Sequence, residues 1–141
     1  MTGTDLCHRS SLQLVGDAFL SLIVTRLVLQ EDPRLRVGNV TAIKGALVAN
    51  RVLACLAAAY GLHYAHSRGV DTWQNVRVSA DLFEAFCGAV CSSRGDSVCQ
   101  MWLTDLYRPL VKKVLDIQRT AFYAPSTLDL NRGVPASSIA L

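Results

Sequence analysis

The segment from Leu12 to Gln30, LQLVGDAFLSLIVTRLVLQ, is the most apolar part of this chain and contains a single acidic residue, Asp17. Its length and the helical spacing of its apolar residues predict an α-helix that packs into a core or against a partner. Because polar residues interrupt the segment, we do not expect it to span a membrane. A charged carboxylate on so apolar a helix is costly unless it is paired or ligates a cation, so Asp17 is a candidate functional residue.

Helical patterns continue through most of the sequence, and no segment alternates as a half-buried strand does. The fold class is therefore predicted to be all-α, with a helical domain at 1–120 and an extended Pro-, Ser- and Gly-rich tail at 121–141. The predicted helices run from Ser10 or Ser11 to about Gln30, from Ala42 to Tyr60, from Ser79 or Asp81 to Cys91, and from about Ser97 to Arg119. Thr41 is the expected N-cap of the second helix, and Gly61 follows its end.

The charge of the chain is distributed unevenly. The net charge is +3, which by itself is too small to indicate a polyanionic partner. Between Asp32 and Asp71 there is no acidic residue, whereas five basic residues lie there: Arg34, Arg36, Lys44, Arg51 and Arg68. This segment is either a positively charged binding surface or a plain solvated basic face.

The five cysteines are an odd number and most lie in apolar helical contexts, which favours reduced core residues over disulfides. Cys87 and Cys91 have the i, i+4 spacing of half a zinc site, but no second pair completes it. The polar N-terminal residues lack the features of a secretory signal. We therefore expect an intracellular protein, and the sequence does not distinguish cytoplasm, nucleus and mitochondrion.

A second pair of acids, Asp81 and Glu84, lies in the apolar segment VSADLFEAFCGAV. Their i, i+3 spacing places them on one helix face, as the i, i+4 spacing does for Gln13 and Asp17. If the first and third predicted helices cross, these oxygen-bearing side chains meet in a ligand set that Mg²⁺ accepts, suited to phosphodiester hydrolysis beside a basic surface. Two alternatives stay open: Asp81 as a helix N-terminal charge, and Asp17 as a buried acid bonded to backbone.

Three segments resemble the conserved blocks of the ribonuclease III family. LQLVGDAFLSLIV is similar to the signature helix with its Gly-Asp pair, KGALVANRVLACLAAAYGL to the second block, and VSADLFEAFCGAVCSSRG to the Asp-x-x-Glu block. They occur in the family's order and extend from about Leu12 to Leu115. The resemblance implies the all-α ribonuclease III endonuclease fold, and cleavage of double-stranded RNA to 5′-phosphate and 3′-hydroxyl ends.

The resemblance also implies a site. The family's acidic ligands fall on Asp17, Asp81 and Glu84, which would hold Mg²⁺ or Mn²⁺. A further family glutamate falls on Gln13, which keeps an amide oxygen for the metal but removes one negative charge, so we expect weaker metal binding. Gln13 completes the expected catalytic and metal-ligating set.

Two functions are consistent with this resemblance. One is an active, weakened endoribonuclease, as in the compact Mini-ribonuclease III branch, which also lacks the glutamate that matches Gln13. The other is an inactive domain that binds RNA or pairs with another subunit in a ribosomal or RNA-processing assembly. The three retained acids favour the enzyme. A structural helical module without RNA contact is a third interpretation with less support.

The expected partners are double-stranded RNA and a second ribonuclease III domain. A first helix that is apolar on all sides needs a second burial surface, which favours a homodimer, or a heterodimer with a homologous domain. The tail is too short for a double-stranded-RNA-binding domain, so RNA would contact this domain or its partner and be recognised by its shape and 2′-hydroxyls. No membrane partner is expected.

Overall fold

The structure is a computed structural model that describes residues 3–62 and 75–123, with side chains at 8–62 and 75–121. In these ranges the chain forms five helices: α1 at Gly3–Glu31, α2 at Val37–Leu47, α3 at Asn50–Ala59, α4 at Val76–Arg94 and α5 at Asp96–Tyr123. No strand occurs within them, and the predicted all-α fold class is confirmed. Residues 63–74, between the second and third predicted helices, and positions 124–141 of the predicted tail lie outside the described residues.

The C-terminal half of α1 lies at the centre of the core. Its buried residues are Leu20, Ile23, Val24, Leu27 and Val28, each at most 2% exposed. They share one hydrophobic cluster with residues of α2, α3, α4 and α5. Two ion pairs tie the end of α1 to α5: Arg108 lies 2.8 Å from Glu31, and Arg119 lies 3.2 Å from Asp32.

Within the described residues, His8–Glu31 is long and apolar enough to cross a membrane, with a mean hydropathy of 1.7. The core helix of a water-soluble domain has the same length and composition, and this helix contributes its C-terminal half to the core. The absence of a membrane partner stays a prediction.

The single helix predicted at 42–60 is wrong, because two shorter helices, α2 and α3, replace it. The chain turns at Ala49, which has extended backbone angles (φ −64°, ψ 146°), and the two helices are bent by 42° relative to each other. Thr41 consequently lies inside α2 and is not its N-cap. The turn lets Leu47 and Leu53 both reach the core, a tertiary requirement that the alanine-rich sequence does not reveal.

The fourth helix begins at Val76, earlier than the sequence predicted. The side-chain oxygen of Asn75 accepts hydrogen bonds from the backbone N–H groups of Arg77 and Val78, which satisfies the donors at the helix start. Asp81 therefore lies beyond the first turn of α4. Since the helix dipole acts mainly within that turn, the alternative role of Asp81 as an N-terminal charge is not supported.

Two glycines in left-handed backbone conformations end helices. Gly61 follows α3 with φ 66°, as predicted, and Gly95 separates α4 from α5 with φ 86°. α5 then continues to Tyr123, a few residues past its predicted end at Arg119.

Three cysteines meet at the corner between α4 and α5. Cys87, Cys91 and Cys99 are buried free thiols, and the sulfur atoms of Cys91 and Cys99 lie 2.7 Å apart. Burial raises the pKa of the Cys99 thiol to about 12 and raises that of Cys87 further. Their packing agrees with the interpretation as reduced core residues, whereas Cys55 is exposed.

Candidate active site

Two glycines bring α1 and α4 into direct backbone contact. A Cβ atom at Gly16 would lie 1.8 Å from the carbonyl oxygen of Glu84, and one at Gly88 would lie 1.9 Å from that of Leu12. Only a glycine therefore fits at either position without moving a helix. Because Gly16 adjoins Asp17 and Gly88 lies one turn after Glu84, this crossing holds the acids of the two helices side by side.

The crossing opens onto a pocket of ≈ 510 Å³. Its lining residues are Ser10, Gln13, Leu14, Asp17, Asn50, Arg77, Asp81 and Glu84. The structure thus brings all four sequence-predicted site residues to one place, on α1 and α4 as the helix spacing indicated. Their roles as ligands stay predictions.

Asp17 is exposed, which corrects the expectation of a buried acid. The buried face of α1 carries Gly16 and Leu20, and Asp17 lies beside this face on the wall of the open pocket. Its apolar neighbours Leu14 and Val15 are exposed as well, by 71% and 45%. The apolar sequence around Asp17 therefore does not place it in an apolar environment, and the alternative of a buried acid bonded to backbone is wrong.

Gln13 bonds directly to the acids of α4. Its amide nitrogen, Nε2, donates to Oδ1 of Asp81 at 3.0 Å and to Oε2 of Glu84 at 3.0 Å. The sequence predicted that Gln13 would present its amide oxygen to a metal. The structure presents the amide nitrogen to the carboxylates instead.

Glu84 holds its proton more tightly than an ordinary glutamate. Partial burial raises its pKa above the usual 4.5, and the charges of Asp17 and Asp81 raise it further, while the hydrogen bond from Gln13 opposes these effects. The acids therefore lie close enough to repel one another, and any positive charge or donor between them relieves that repulsion.

Asn50 and Arg77 are among the pocket residues that sequence reasoning missed. Arg77 lies one turn before Asp81 on α4, so the spacing that paired Asp81 with Glu84 could have included it. Its side chain forms no ion pair with any acid in the described part of the chain. Asn50 is the first residue of α3, and only the tertiary structure brings it to α1 and α4.

The donor set suits a hard divalent cation, since every predicted ligand offers an oxygen atom. Over the side chains described at 8–62 and 75–121, however, no three His, Cys, Asp or Glu residues lie close enough to hold a metal ion. The oxygen atoms of these residues suit a divalent cation. In the observed arrangement, the amide N–H groups of Gln13 link the carboxylates of Asp81 and Glu84 instead.

The crossed helices and the acidic pocket define the class, an all-α domain with carboxylate and amide side chains gathered at an open pocket. Comparison with known proteins identifies the family, because the sequence model of the ribonuclease III domain family matches residues 10–95 of this chain. The chain belongs to the ribonuclease III domain family, and the resemblance of its three sequence blocks is confirmed. This family is generally dependent on divalent metal ions.

Two relatives and one solved structure illustrate the membership. Ribonuclease 3 of Gloeobacter violaceus is 33% identical over 109 residues, 74% of this chain and 45% of that protein. The double-strand-specific pac1 ribonuclease of Schizosaccharomyces pombe is 26% identical over 112 residues, 76% of this chain and 31% of that protein. The chain thus spans less than half the length of either relative.

The solved structure is the nuclease domain of ribonuclease III from Campylobacter jejuni. It superimposes with a TM-score of 0.63 over 72% of this chain and 76% of that chain, at 21% identity. This likeness establishes a shared fold. The Campylobacter structure is described as flexible in a region involved in dimer formation.

Proposed function

We propose that this domain is a ribonuclease III-type endoribonuclease that hydrolyses double-stranded RNA to 5′-phosphate and 3′-hydroxyl ends. The observation that carries the proposal is the meeting of Gln13 and three acids at one open pocket, in a chain of this family. The name of the pac1 relative, a double-strand-specific ribonuclease, supports the substrate class. The oxygen-rich donor set supports Mg²⁺ or Mn²⁺ as the cofactor.

The pocket residues divide into those that hold the cation and those that hold the RNA. Asp17, Asp81 and Glu84 would hold the cation, which supplies an activated water and stabilises the leaving oxygen when bound. Arg77 offers a guanidinium for a phosphate oxygen. Asn50, the first residue of α3, offers an amide donor from a third helix.

Basic residues near the pocket support an RNA backbone as the ligand. Arg51 follows the pocket residue Asn50 directly and is exposed, whereas the exposed Arg34 and Arg36 follow the end of α1 that lies away from the pocket. Arg51 and the pocket residue Arg77 would neutralise phosphates without reading base sequence. We therefore expect recognition of the duplex by its shape and 2′-hydroxyls.

We further propose that the domain forms a dimer through α1. A stripe of exposed apolar residues runs along that helix: Val15, Ala18, Leu22 and Leu29. Leu14 flanks this α1 stripe and also lines the pocket, so a second copy would lie beside the site. A homodimer is the simplest partner for such a stripe, and a heterodimer with a homologous domain is the alternative.

The dimer is tested by light scattering of the full chain at micromolar concentration. Wild-type protein should have twice the mass of one chain, and Leu22→Asp should reduce it to one. Met101→Asp is the matched control, because Met101 is 68% exposed on α5 and lies outside the α1 stripe. A monomeric wild type would overturn this part of the proposal.

A specific observation favours a second function, that of an inactive domain retained for RNA binding or dimerisation. Gln13 donates to the acids of α4 and leaves its oxygen turned away from them. If this arrangement persists when RNA is bound, the cation site does not form. The domain would then act as a subunit of a ribosomal or RNA-processing assembly.

Cleavage of a labelled RNA duplex of about 30 to 40 base pairs, with Mg²⁺ or Mn²⁺, distinguishes the two functions; this length is about three turns of the RNA helix. Staggered cuts that disappear in Glu84→Ala establish an active nuclease. If the wild type does not cut and Gln13→Glu does, the domain is an inactive relative disabled at that position. Duplex binding by both proteins, measured in parallel, shows whether the inactive form still recognises RNA.

We also propose an intracellular location. Cys55, Cys87, Cys91 and Cys99 are free thiols, which supports a reducing compartment. Fractionation of cells that express the protein, with markers for cytoplasm, nucleus and mitochondrion, tests the location and identifies the compartment.

A further inference from the structure

The amide group of Gln13 uses both of its hydrogens on the acids of α4. A glutamine side chain has two N–H donors on one nitrogen and one carbonyl acceptor. Here Nε2 lies 3.0 Å from an oxygen of Asp81 and 3.0 Å from an oxygen of Glu84. One amide thus joins two carboxylates of neighbouring turns.

The charge of the carboxylates fixes the direction of this amide. With the amide rotated by half a turn, its carbonyl oxygen would lie about 3 Å from two carboxylate oxygens, so three acceptors would face one another without a donor. Because only the Nε2 orientation forms hydrogen bonds, Oε1 does not point towards the oxygens of Asp81 and Glu84. It cannot join them around a cation until the side chain rotates.

We propose that Gln13 competes with the divalent cation for Asp81 and Glu84 instead of serving as one of its ligands. In the metal-free protein its NH₂ group takes the position of a bridging positive charge, and it must leave the two carboxylates before a cation binds them. This inference rests on the proposed function, since it presumes that the pocket takes Mg²⁺ or Mn²⁺. It replaces the ligand role that the sequence predicted for Gln13.

The two roles predict opposite effects of removing the amide. A ligand that is removed weakens metal binding. If the Gln13 amide is a competitor, its removal leaves the carboxylates of Asp81 and Glu84 without a donor between them. Their mutual repulsion then favours binding of the cation. We expect Gln13→Ala to tighten Mn²⁺ binding roughly tenfold, because each hydrogen bond to a charged group that need not be broken contributes on this scale.

The experiment is titration of this chain, freed of metal, with Mn²⁺, with free Mn²⁺ followed by electron paramagnetic resonance. Tighter binding by Gln13→Ala and by Gln13→Leu, which has similar bulk without a donor, supports competition. Weaker or unchanged binding by both variants overturns it. Circular dichroism of each variant checks folding, and Glu84→Ala shows that the bound Mn²⁺ occupies this pocket.

Gln13→Glu separates failure of this inference from failure of the proposed function. With a fourth carboxylate, the pocket should bind Mn²⁺ more tightly under either role of Gln13. If neither Gln13→Glu nor any other variant binds Mn²⁺ in this pocket, the metal centre itself is disproved, and the competition with it. If Gln13→Glu binds while Gln13→Ala binds more weakly than wild type, the function stands and the competition is wrong.

A direct measurement follows the Gln13 side-chain amide by ¹⁵N–¹H NMR, with its resonances assigned by their loss in Gln13→Ala. In metal-free protein both protons should show the shifts of hydrogen-bonded donors. Saturation with Mg²⁺ should move them to the values of a solvated amide. Resonances that do not move at saturating Mg²⁺ would contradict the displacement of Gln13.

Discussion

The two halves of α1 have similarly apolar sequences and opposite surroundings. From Leu20 to Val28 the helix buries five large residues in the common core. Before Leu20 it exposes Leu14 and Val15, and it carries Gln13 and Asp17 on the wall of an open pocket. The N-terminal half is held against α4 by backbone contact at Gly16.

This difference shows that hydropathy alone does not determine burial. A residue becomes buried when another element covers it, and the helices of this domain cover the C-terminal half of α1 on the side shared with α2, α4 and α5. In the N-terminal half Leu14 and Val15 are left exposed, and the polar residues Gln13 and Asp17 line the pocket.

Gly16→Ala should have the largest effect, because it disrupts the contact that holds the N-terminal half in place. A methyl group there would lie 1.8 Å from a backbone oxygen, so the free energy of unfolding should fall by roughly 4 kcal/mol or more. Urea unfolding measures it. Gly45→Ala is the control: a Cβ there meets nothing within 4 Å, and stability should rise by up to about 1 kcal/mol. A tolerated Gly16→Ala would contradict the close helix crossing.

Two leucine-to-alanine substitutions compare the loss of stability in the two halves of α1 directly. Leu27→Ala removes a side chain that is 2% exposed and should cost about 3 kcal/mol, whereas Leu14→Ala, at 71% exposed, should cost less than about 0.5 kcal/mol. Both are measured by urea unfolding of dilute protein. Equal losses would show that the N-terminal half is also covered. Losses that become equal only at high protein concentration would identify a second copy as the cover.

Glu84→Gln tests how much the charged Glu84 carboxylate destabilises the folded protein. Glu84 lies in the pocket beside the N-terminal half of α1. Since the folded pKa of Glu84 is raised above 4.5, chiefly by burial, its contribution to stability is present below pH 4.5 and is lost as the pH rises through the raised pKa. The metal-free variant should therefore melt at a higher temperature than wild type at pH 7, and the difference should shrink towards pH 4. Thermal unfolding in EDTA at several pH values measures this. A variant that melts at a lower temperature than wild type at pH 7 would contradict the predicted gain in stability.

Tyr107→Phe should have the smallest effect, and it concerns the core around the C-terminal half of α1. The Tyr107 hydroxyl is buried without a hydrogen-bond partner in the described part of the chain, so its removal should leave stability unchanged or raise it by up to about 1 kcal/mol. Tyr60→Phe is the contrast, because the Tyr60 hydroxyl accepts a 2.7 Å hydrogen bond from Trp102. Calorimetry of both variants compares them. A clear loss for Tyr107→Phe would reveal a partner for its hydroxyl.

Much of the fold and part of the site could be predicted from the sequence. The helical spacing of Gln13 with Asp17, and of Asp81 with Glu84, correctly placed each pair on one face, because that relation depends only on residues of the same helix. The break between α2 and α3 could not be predicted in this way. It depends on the core that Leu47 and Leu53 enter, and neither residue encodes a turn.

At the site, the presence of Asn50 and Arg77 in one pocket could not be predicted from the sequence for the same reason. Each is an ordinary residue near the start of a helix, and only the packing of α3 and α4 around α1 brings both to the pocket. The direction of the Gln13 amide could not be predicted either, because two carboxylates more than sixty residues away in the sequence determine it.

The sequence by itself determined that this protein is an all-α ribonuclease III domain and which side chains share a helix face. Helix formation and side-chain periodicity are local properties, set by neighbours a few residues apart. The tertiary structure alone decided that Asp17 is exposed and that Gln13 turns its nitrogen to the acids. Solvation and hydrogen bonding depend on the groups that distant segments bring within a few ångströms, and those groups are settled only when the helices pack.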